Sequence, residues 1–447
     1  MIARIFLLSL MALAGCARFQ ARSLTPGQTA ADFEARSLNN VGLQAFVQSN
    51  LHHSVTRWGF PELTLAALYY HPDLDVARAQ WNVAKAGQVK AGERPNPTVG
   101  ISPGYNTTTA IPSPWMVSFN FDLPIETAGK RGYRLAQARH LSEAARLNLA
   151  SVAWQVRSRV RNRWLDLHAA TQKEEGLRRQ QAAQETIVKL LQAQFEVGEI
   201  SAFELTQARI ALHNGSLALN EAQRQRAEAR SALADAIGVP TRALDEITLS
   251  FDGLENLPEL PAAEARRAAL TSRADVLAAL AEYAASQSAL QLEIAKQYPD
   301  IHLGPGYEYD QGDDKWSIGL SVELPLLNQN QGGIAEALAK REEAAAKFLA
   351  LQARVIGEID RAVAAYETAR RMVATAETLR AEQEKLRQTA QQRFAAGEIA
   401  RLHLAMTELE MVSAELAQLD ARVKAHQAWG ALEDALQSPT LPQKNTP

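Results

Sequence analysis

Two long stretches of this chain contain no proline, residues 125–239 and residues 326–438, and both are rich in Ala, Leu, Glu, Gln and Arg. Proline breaks a helix when it lies in the interior, and most of the abundant residue types are strong helix formers. The composition therefore predicts long α-helices in both stretches. At a rise of about 1.5 Å per residue, an outgoing helix of some 65 residues would reach roughly 100 Å, far more than a compact domain needs.

The two stretches occupy matching places in an internal repeat. A period of about two hundred residues is too long for a solenoid unit and indicates duplication of a half-domain. We predict a first repeat over residues 61–239, an equatorial linker over 240–272, a second repeat over 273–438 and a flexible tail over 439–447. The echoes that define the repeat are Asp73, Pro97, Gly104 and Tyr105 with Asp275, Pro299, Gly306 and Tyr307, and the run Phe195 to Ile200 with Phe394 to Ile399.

The first sixteen residues have the features of an export signal. Arg4 precedes a short apolar core, and the run Leu13 to Cys16 resembles the bacterial lipobox. The core is too short to span a bilayer as a helix. We therefore expect cleavage of the signal peptide 1–16, lipidation of Cys16 and, because no Asp follows it, sorting to the outer membrane. The mature chain would begin with an extended N-terminal arm over residues 17–60.

Each repeat contains a β-hairpin, predicted over residues 98–124 and 300–325, whose strands alternate apolar and polar residues. A soluble sandwich could produce this alternation. The export signal, the presence of only four such strands and the aromatic residues next to both loops favour a lipid-facing sheet instead. Because about eight strands is the smallest known barrel, several chains would have to share one. The aromatic residues are Tyr105, Trp115, Tyr307, Tyr309 and Trp316.

Each β-hairpin leads into a helical hairpin, over residues 126–238 with a tip near Gly198 and over residues 331–438 with a tip near Gly397. A glycine that ends one helix before the next begins is typical of a left-handed cap. Both tips also keep the same flanking Phe and following Glu-Ile, which indicates contact with another protein; inheritance from the duplication alone is the alternative. The candidate tip residues are Gly198, Glu199, Ile200, Gly397, Glu398 and Ile399.

The sequence contains no motif of a catalytic, cofactor or metal site, so we predict neither enzymatic activity nor a cofactor. The pair His52 and His53 has no carboxylate or thiol nearby in sequence, and we expect it to be solvated. A run of four arginines between Arg157 and Arg163 would spread over two faces of a helix and lie in solvent. With 47 Lys and Arg against 50 Asp and Glu, the net charge of -3 offers no general attraction for nucleic acid.

Over nearly the whole mature chain, this order of elements resembles the TolC-type outer-membrane factor family. The motifs that carry the resemblance are Leu123 through Arg131, Phe195 through Arg209 and Phe394 through Ile399. Arg94 to Pro97 and the Gly129-Lys130-Arg131 turn are most similar to the CzcC-like branch, which serves heavy-metal efflux pumps. The sequence predicts a mainly α fold with a small β part.

The resemblance implies a homotrimer in which four strands per chain close a twelve-stranded outer-membrane β-barrel, continued by a periplasmic α-helical barrel. It also implies a periplasmic adaptor and an inner-membrane pump, of the RND type, as partners, with the tips facing the adaptor. Family members usually close this end with acidic residues six and nine positions beyond the second glycine. Those places hold His403 and Met406 here, so Glu408, or Glu204 with Arg209, become the alternative gate candidates.

The predicted function is an exit duct that passes substrates across the outer membrane without a catalytic step. Metal cations, drugs and a polypeptide secreted by a type I system all remain open as cargo. A periplasmic adaptor lipoprotein is the alternative from another class. An adaptor normally has one helical hairpin between β-rich domains, whereas this chain has two hairpins and membrane-like strands.

Overall fold

The computed structural model describes residues 18–108, 113–261 and 263–438. The expected signal peptide with Cys16 and the expected tail 439–447 lie outside these residues. The first half contains, in order, α1 Pro26–Glu34, α2 Val41–Leu51, α3 Phe60–Tyr70, α4 Pro72–Gly92, β1 Thr98–Tyr105, β2 Trp115–Ile125, α5 Lys130–Glu196 and α6 Ala202–Ile237. The second half contains a 3-10 helix Thr241–Glu246, α7 Ala263–Ser272, α8 Ala274–Ala295, β3 Ile301–Asp310, β4 Asp313–Val322, α9 Gln331–Ala395 and α10 Arg401–Leu436. The prediction of a mainly helical protein with a small β part is confirmed.

The long helices are continuous, with 67 residues in α5 and 65 in α9. Each returns through a shorter helix of 36 residues, α6 or α10. In the half that ends at the tips, the helices contact one another in the order α6, α5, α10 and α9. In the other half, α4 and α8 take the places beside α5 and α9, and α8 also contacts α5. The outermost helices of this assembly are therefore α4 and α6 on one side and α9 on the other.

One antiparallel sheet combines the two β-hairpins in the order β1, β2, β3 and β4. The repeats meet where β2 pairs with β3. The register places apolar residues opposite one another, as the alternation predicted: Val99 with Phe121, Phe119 with Tyr307, Leu123 with Leu303, and Pro305 with Ile318. Because side chains alternate between the two faces of a strand, this register collects the apolar side chains on one face.

The buried core lies around the middle of the long helices. Its largest cluster joins α2, α3 and the end of α6 to residues Val156 through Leu167 of α5. A second cluster joins α7 and the end of α10 to residues Val355 through Tyr366 of α9. In each repeat, the shorter helices and the end of the return helix therefore pack against the middle of the long helix. We call this region the equator of the molecule.

Two predicted segments differ from the structure. The arm expected over residues 17–60 contains α1 and α2 rather than extended chain, because the Asn40 side chain caps α2 by accepting from the Gly42 N–H at 2.9 Å. Leu38, Leu43 and Val47 of this segment are fully buried. The linker expected over 240–272 contains the 3-10 helix and α7, since its Ala243 and Leu244 enter the first core cluster.

Among the residues that the structure describes, no helix is both long enough and apolar enough to cross a membrane.

Candidate functional sites

The apolar face of the sheet is open to its surroundings. Trp316 and Ile318 of β4 are each 82% exposed, and Leu320 is 69% exposed. Leaving large apolar side chains of neighbouring strands in water is unfavourable, so a contiguous exposed apolar patch marks a surface that meets a partner or a membrane. The sheet therefore presents a surface that the chain alone does not cover.

Aromatic pairs stand at the loop end of this face. Tyr105 and Trp115 are directly opposite on β1 and β2, with ring centroids 5.0 Å apart. Tyr307 and Trp316 repeat the arrangement on β3 and β4 at 4.9 Å. Tyrosine and tryptophan with one polar atom each are suited to a boundary between apolar and aqueous surroundings. The two pairs form the aromatic band that the sequence predicted beside the loops.

The opposite face of the sheet is small and polar. Gly304 leaves little room for a side chain, because an added Cβ would lie 3.1 Å from the carbonyl oxygen of Phe121. Near the helical end of the sheet, both carboxylate oxygens of Asp122 lie 3.1 Å from Nδ1 of His302. This face is therefore better suited to contact with water than the apolar face is.

The sheet also has two unpaired edges. Within the described ranges, β1 pairs only with β2 and β4 only with β3. An edge strand leaves a row of N–H and C=O groups without partners, and such groups are costly wherever water is scarce. The geometry calls for further strands at both edges.

The Gly129-Lys130-Arg131 motif fastens the sheet to the helices. Gly129, the N-cap residue of α5, has φ +74°, a left-handed conformation that glycine adopts without strain. Asp300 lies just before β3 in the other repeat. The ammonium Nζ of Lys130 donates to its Oδ1 at 2.8 Å. The Nε of Arg131 donates to the carbonyl of Gly92 at the end of α4. The motif therefore has a structural role at the junction of the two repeats.

The two helical tips have the same backbone geometry. Gly198 and Gly397 have φ +79° and +74°. At each tip, the glycine N–H donates to the carbonyl three residues back at 3.0 Å, and the next N–H, of Glu199 or Glu398, donates to the carbonyl five residues back at 2.9 Å. This is the Schellman arrangement, which satisfies the last carbonyls of a helix.

The side chains at the tips differ between the repeats. In the first tip, Ser201 and Glu204 form a capping box: the Ser201 N–H donates to Glu204 Oε2 at 2.8 Å. This N–H bond lowers the pKa of the exposed Glu204 carboxyl. In the second tip, Arg393 pairs with Glu398 at 3.1 Å, and no side chain caps α10. The side chains of Ile200 and Ile399 are half-buried at the two turns.

The gate candidates are not brought together within one chain. Arg209 donates to Oε1 of Gln192 across the first hairpin at 2.7 Å and does not contact Glu204. His403, Met406 and Glu408 are exposed on the first turns of α10. Their role at a gate stays a prediction, because it concerns contacts between copies of the chain.

The arginine run of α5 was misread from sequence. Arg161 is only 5% exposed, and its Nη1 donates to Oε2 of Glu433 on α10 at 2.9 Å. Its Nη2 donates to the carbonyl of Gly430 at 2.7 Å and to Asp434. Arg157 also pairs with Glu433, at 3.3 Å. This group, which we call the equatorial ion cluster, joins the long helix of the first repeat to the last helix of the second.

Two further buried groups complete the equator. His71 and Arg273 occupy equivalent N-cap positions, of α4 and α8, and both are almost fully buried. Arg273 donates to both carboxylate oxygens of Asp275, at 3.0 and 2.7 Å, and to the carbonyl of Ala435. Both repeats thus have a buried polar side chain at this N-cap position, although the residue differs.

Several histidines contact residues that are distant in sequence. His52 and His53 are both exposed, as expected from the sequence, and His53 Nε2 also lies 3.4 Å from Glu62 Oε1 on α3. His426 of α10 is hydrogen bonded through Nε2 to the carbonyl of Leu254 at 2.9 Å, and burial lowers the pKa of its imidazole. Burial, followed by the nearby His426, also lowers the pKa of His168. Over the described ranges, no three His, Cys, Asp or Glu residues are placed to hold a metal ion.

A protein-family model described as outer membrane efflux protein matches residues 64–239 and 255–437, which is most of the chain. Among curated proteins, the cobalt-zinc-cadmium resistance protein CzcC of Cupriavidus metallidurans is 26% identical over 288 residues, or 62% of this chain. The match spans 65% of that relative, a little under two thirds of its length.

Solved structures of outer-membrane proteins have the same fold. VceC of Vibrio cholerae matches with a TM-score of 0.69 at 20% identity, covering 85% of this chain and 96% of VceC. The CmeC outer membrane channel of Campylobacter jejuni matches with a TM-score of 0.68 at 18% identity, covering 94% of this chain and 90% of CmeC. The fold that the family resemblance implied is therefore the fold of solved outer-membrane channels.

Proposed function

The chain belongs to the outer membrane efflux protein family, and on that premise we propose that it is the outer-membrane exit duct of a multicomponent efflux system. Three copies would form the channel. Substrates would pass through it from an inner-membrane pump and a periplasmic adaptor, without a catalytic step in this chain. The family and the fold are those of channel proteins.

The single observation that carries this proposal is the sheet with two open edges and an exposed apolar face. Four strands are too few to close a barrel, but three copies supply twelve, within the range of known outer-membrane barrels. Closing the ring pairs β4 of one copy with β1 of the next. It also turns Trp316 and Ile318 to lipid and Asp122 with His302 to the aqueous interior.

The helices support a conduit below the barrel. A helix of 67 residues extends about 100 Å at 1.5 Å per residue, a length suited to crossing much of the periplasm. Both hairpins end in tips with the same cap, so a trimer would present six similar tips to an adaptor at one end. We assign contact with the adaptor to Gly198, Glu199 and Ile200 and to their counterparts Gly397, Glu398 and Ile399.

Heavy-metal cations are the cargo that we favour, because the curated relative is named for resistance to cobalt, zinc and cadmium. The pump would then be of the RND type that the sequence resemblance implied. Drugs and a secreted polypeptide remain the alternative cargoes. We also retain lipidation of Cys16, which would add a lipid anchor at the outer membrane.

Deletion of the gene tests the proposal directly. We expect the deletion strain to become more sensitive to cobalt, zinc or cadmium, and the plasmid-borne chain to restore resistance. Outer-membrane fractions should contain a heat-modifiable trimer that forms channels in planar bilayers. Sensitivity to drugs but not to metals would reassign the cargo, and a monomer in the soluble periplasmic fraction would refute the channel itself.

A further inference from the structure

We propose that α6 of one copy packs antiparallel against α9 of the next copy, in a fixed register set by two exposed apolar stripes. The α6 stripe consists of Phe203, Ile210 and Leu217, and the α9 stripe consists of Met372, Leu379 and Leu386. This inference rests on the proposed trimer and adds to it a specific interface along the helical part of the chain.

Both stripes are exposed and have the same spacing. The α6 stripe residues are 55% to 68% exposed, and the α9 stripe residues are 44% to 47% exposed. Within each stripe the residues are seven positions apart. A seven-residue apolar spacing on a helix forms a seam that packs against another helix, and such seams bury apolar side chains between them.

The stripes lie on the two outermost helices of the tip half. Helix α6 packs on α5, helix α9 packs on α10, and α5 and α10 pack on each other. The stripes thus lie on helices separated by two others within one chain. A second copy placed side by side brings α6 and α9 together, as closing a cylinder requires.

The stripes are also at the same height. Arg179 of α5 pairs with Glu415 of α10 at 2.6 Å, and these residues lie nineteen and eighteen positions from Gly198 and Gly397. The two tips are therefore almost level. Distance from the tip can then be compared between α6 and α9 by counting residues.

Counting from the tips gives the register. Ile210 lies twelve positions from Gly198, and Leu386 lies eleven from Gly397. Leu217 and Leu379 lie nineteen and eighteen positions from the same glycines. One residue of difference is about 1.5 Å along a helix. Ile210 and Leu386 therefore lie at nearly the same distance from the tips, and so do Leu217 and Leu379.

The polar residues between the apolar levels also match. His213 and Glu382 each lie fifteen positions from their tip glycine, between the two apolar levels. Both are exposed, and Glu382 makes only a surface pair with Lys385 in its own chain. An imidazole N–H opposite a carboxylate can donate a hydrogen bond at this level, and a polar position within an apolar seam fixes register in paired helices.

The other half of the chain also has exposed apolar pairs on its outermost helices. Val76 and Val83 of α4, seven positions apart, are more than half exposed. On α9, Leu349 and Ile356 have the same spacing and are also exposed. Sixteen residues, about 160° of helix rotation, separate Ile356 from Met372, so this α9 pair lies on a different face from the α9 stripe.

Disulfide trapping tests the register. The full-length double variant Ile210→Cys/Leu386→Cys, in outer-membrane fractions treated with a mild oxidant, should run as covalent dimers and trimers on non-reducing gels. Its matched control is Ile210→Cys/Met372→Cys, in which the second cysteine is displaced fourteen residues, or about 21 Å, along α9. The control and each single variant should stay largely monomeric.

Other outcomes overturn the seam. Equal cross-linking in the control would mean that no register exists, and a cross-link within one chain would mean that α6 and α9 are neighbours in the same copy. A heat-modifiable trimer without any cross-link would refute the proposed packing of α6 on α9 but not the proposed channel. Absence of a trimer in the wild-type membrane would refute both proposals.

A charge-reversal pair gives a second readout that does not depend on cysteine. Glu382→Lys should lower the temperature at which the trimer dissociates on gels, because it faces His213 of the neighbouring copy. His213→Glu combined with Glu382→Lys should restore that temperature. Both variants lose the pair between Glu382 and Lys385, so that loss cannot explain a difference between them. If the double variant does not restore the dissociation temperature, the pairing of His213 with Glu382 is contradicted.

Discussion

Arg161 of α5 and Glu433 of α10 form a buried ion pair, with 2.9 Å between Nη1 and Oε2, that joins the first repeat to the second. Each residue is only 5% exposed. Asp434, Arg157 and the carbonyl of Gly430 surround the pair. A charge in this position is stabilised only by its partners, because burial removes it from water.

Replacing Arg161 should therefore weaken the protein strongly. In Arg161→Met, Glu433 loses its closest buried partner, and we expect the free energy of unfolding to fall by about 3–5 kcal/mol. Thermal unfolding followed by circular dichroism in detergent would measure the change. Arg163→Met is the matched control, since Arg163 is half exposed and pairs only with Asp166 at the surface, where about 1 kcal/mol or less is expected.

The double variant Arg161→Met/Glu433→Met provides the internal check. This variant removes the buried Glu433 carboxylate together with its closest guanidinium partner, so we expect it to be more stable than Arg161→Met alone. A double variant as unstable as the single one would show that packing, rather than charge compensation, determines the loss.

The tips require glycine for a backbone reason. Gly198→Ala or Gly397→Ala places an L side chain at positive φ, at a cost of about 1–2 kcal/mol per site. We expect faster hydrogen exchange at the amides of the altered glycine position and of the next residue, which close the cap. Gly87→Ala in α4, where an added Cβ meets open space, should instead stabilise by about 0.5–1 kcal/mol.

Exchange at the tips that is the same in Gly198→Ala and the wild type would contradict the cap assignment. Loss of metal resistance in these variants, with the trimer intact, would also support adaptor contact at the tips.

Acidification should loosen the equator. Burial, followed by the repulsion of Arg422, lowers the pKa of His426. Above the usual value of 6.5 the imidazole is neutral in both states, so the folded protein bears no penalty there. As pH falls from 6.5 through the lowered folded pKa, the unfolded chain binds more protons and the free energy of unfolding falls.

Thermal unfolding measured between pH 7.5 and pH 5 should show this loss, and His426→Asn should reduce its slope. The exposed His403→Gln serves as the control and should leave the slope unchanged. A slope that is the same in His426→Asn and wild type would assign the acid sensitivity to other groups, of which His168 is the first to test.

The two faces of the sheet should respond differently to charge. Ile318→Lys places an ammonium group on the exposed apolar face, where a lipid contact would cost about 2–4 kcal/mol near the bilayer midplane. Ser317→Lys places the same group on the polar face, one residue away. Outer-membrane fractions should contain heat-modifiable trimer for Ser317→Lys and much less for Ile318→Lys; the reverse result would invert the assignment of the faces.

Local patterns in the sequence predicted most of the architecture. The proline-free runs predicted α5, α6, α9 and α10, and alternation predicted which residues of β2 and β3 share a face. The N-terminal helices were missed, because α1 is short and α2 is fixed by the Asn40 cap and by burial of Leu43 rather than by a clear helical period.

The equatorial ion cluster could not be read from neighbouring residues. Arg161 and Glu433 are 272 positions apart, and an arginine run on a long helix is ordinarily a solvated surface. Only the packing of α10 on α5 decides which of the four arginines is buried. One signal was available, namely acidic residues in the last turns of α10, but nothing in the sequence placed them opposite α5.

The sequence by itself determined the elements of this protein: duplicated hairpins, long uninterrupted helices and glycine turns, all of which follow from backbone preferences within a few residues. The tertiary structure alone decided which side chains are removed from water. Burial depends on contacts between residues far apart in the chain, and it turns Arg161 into a buried anchor while leaving Ile210 and Leu386 exposed on the outermost helices.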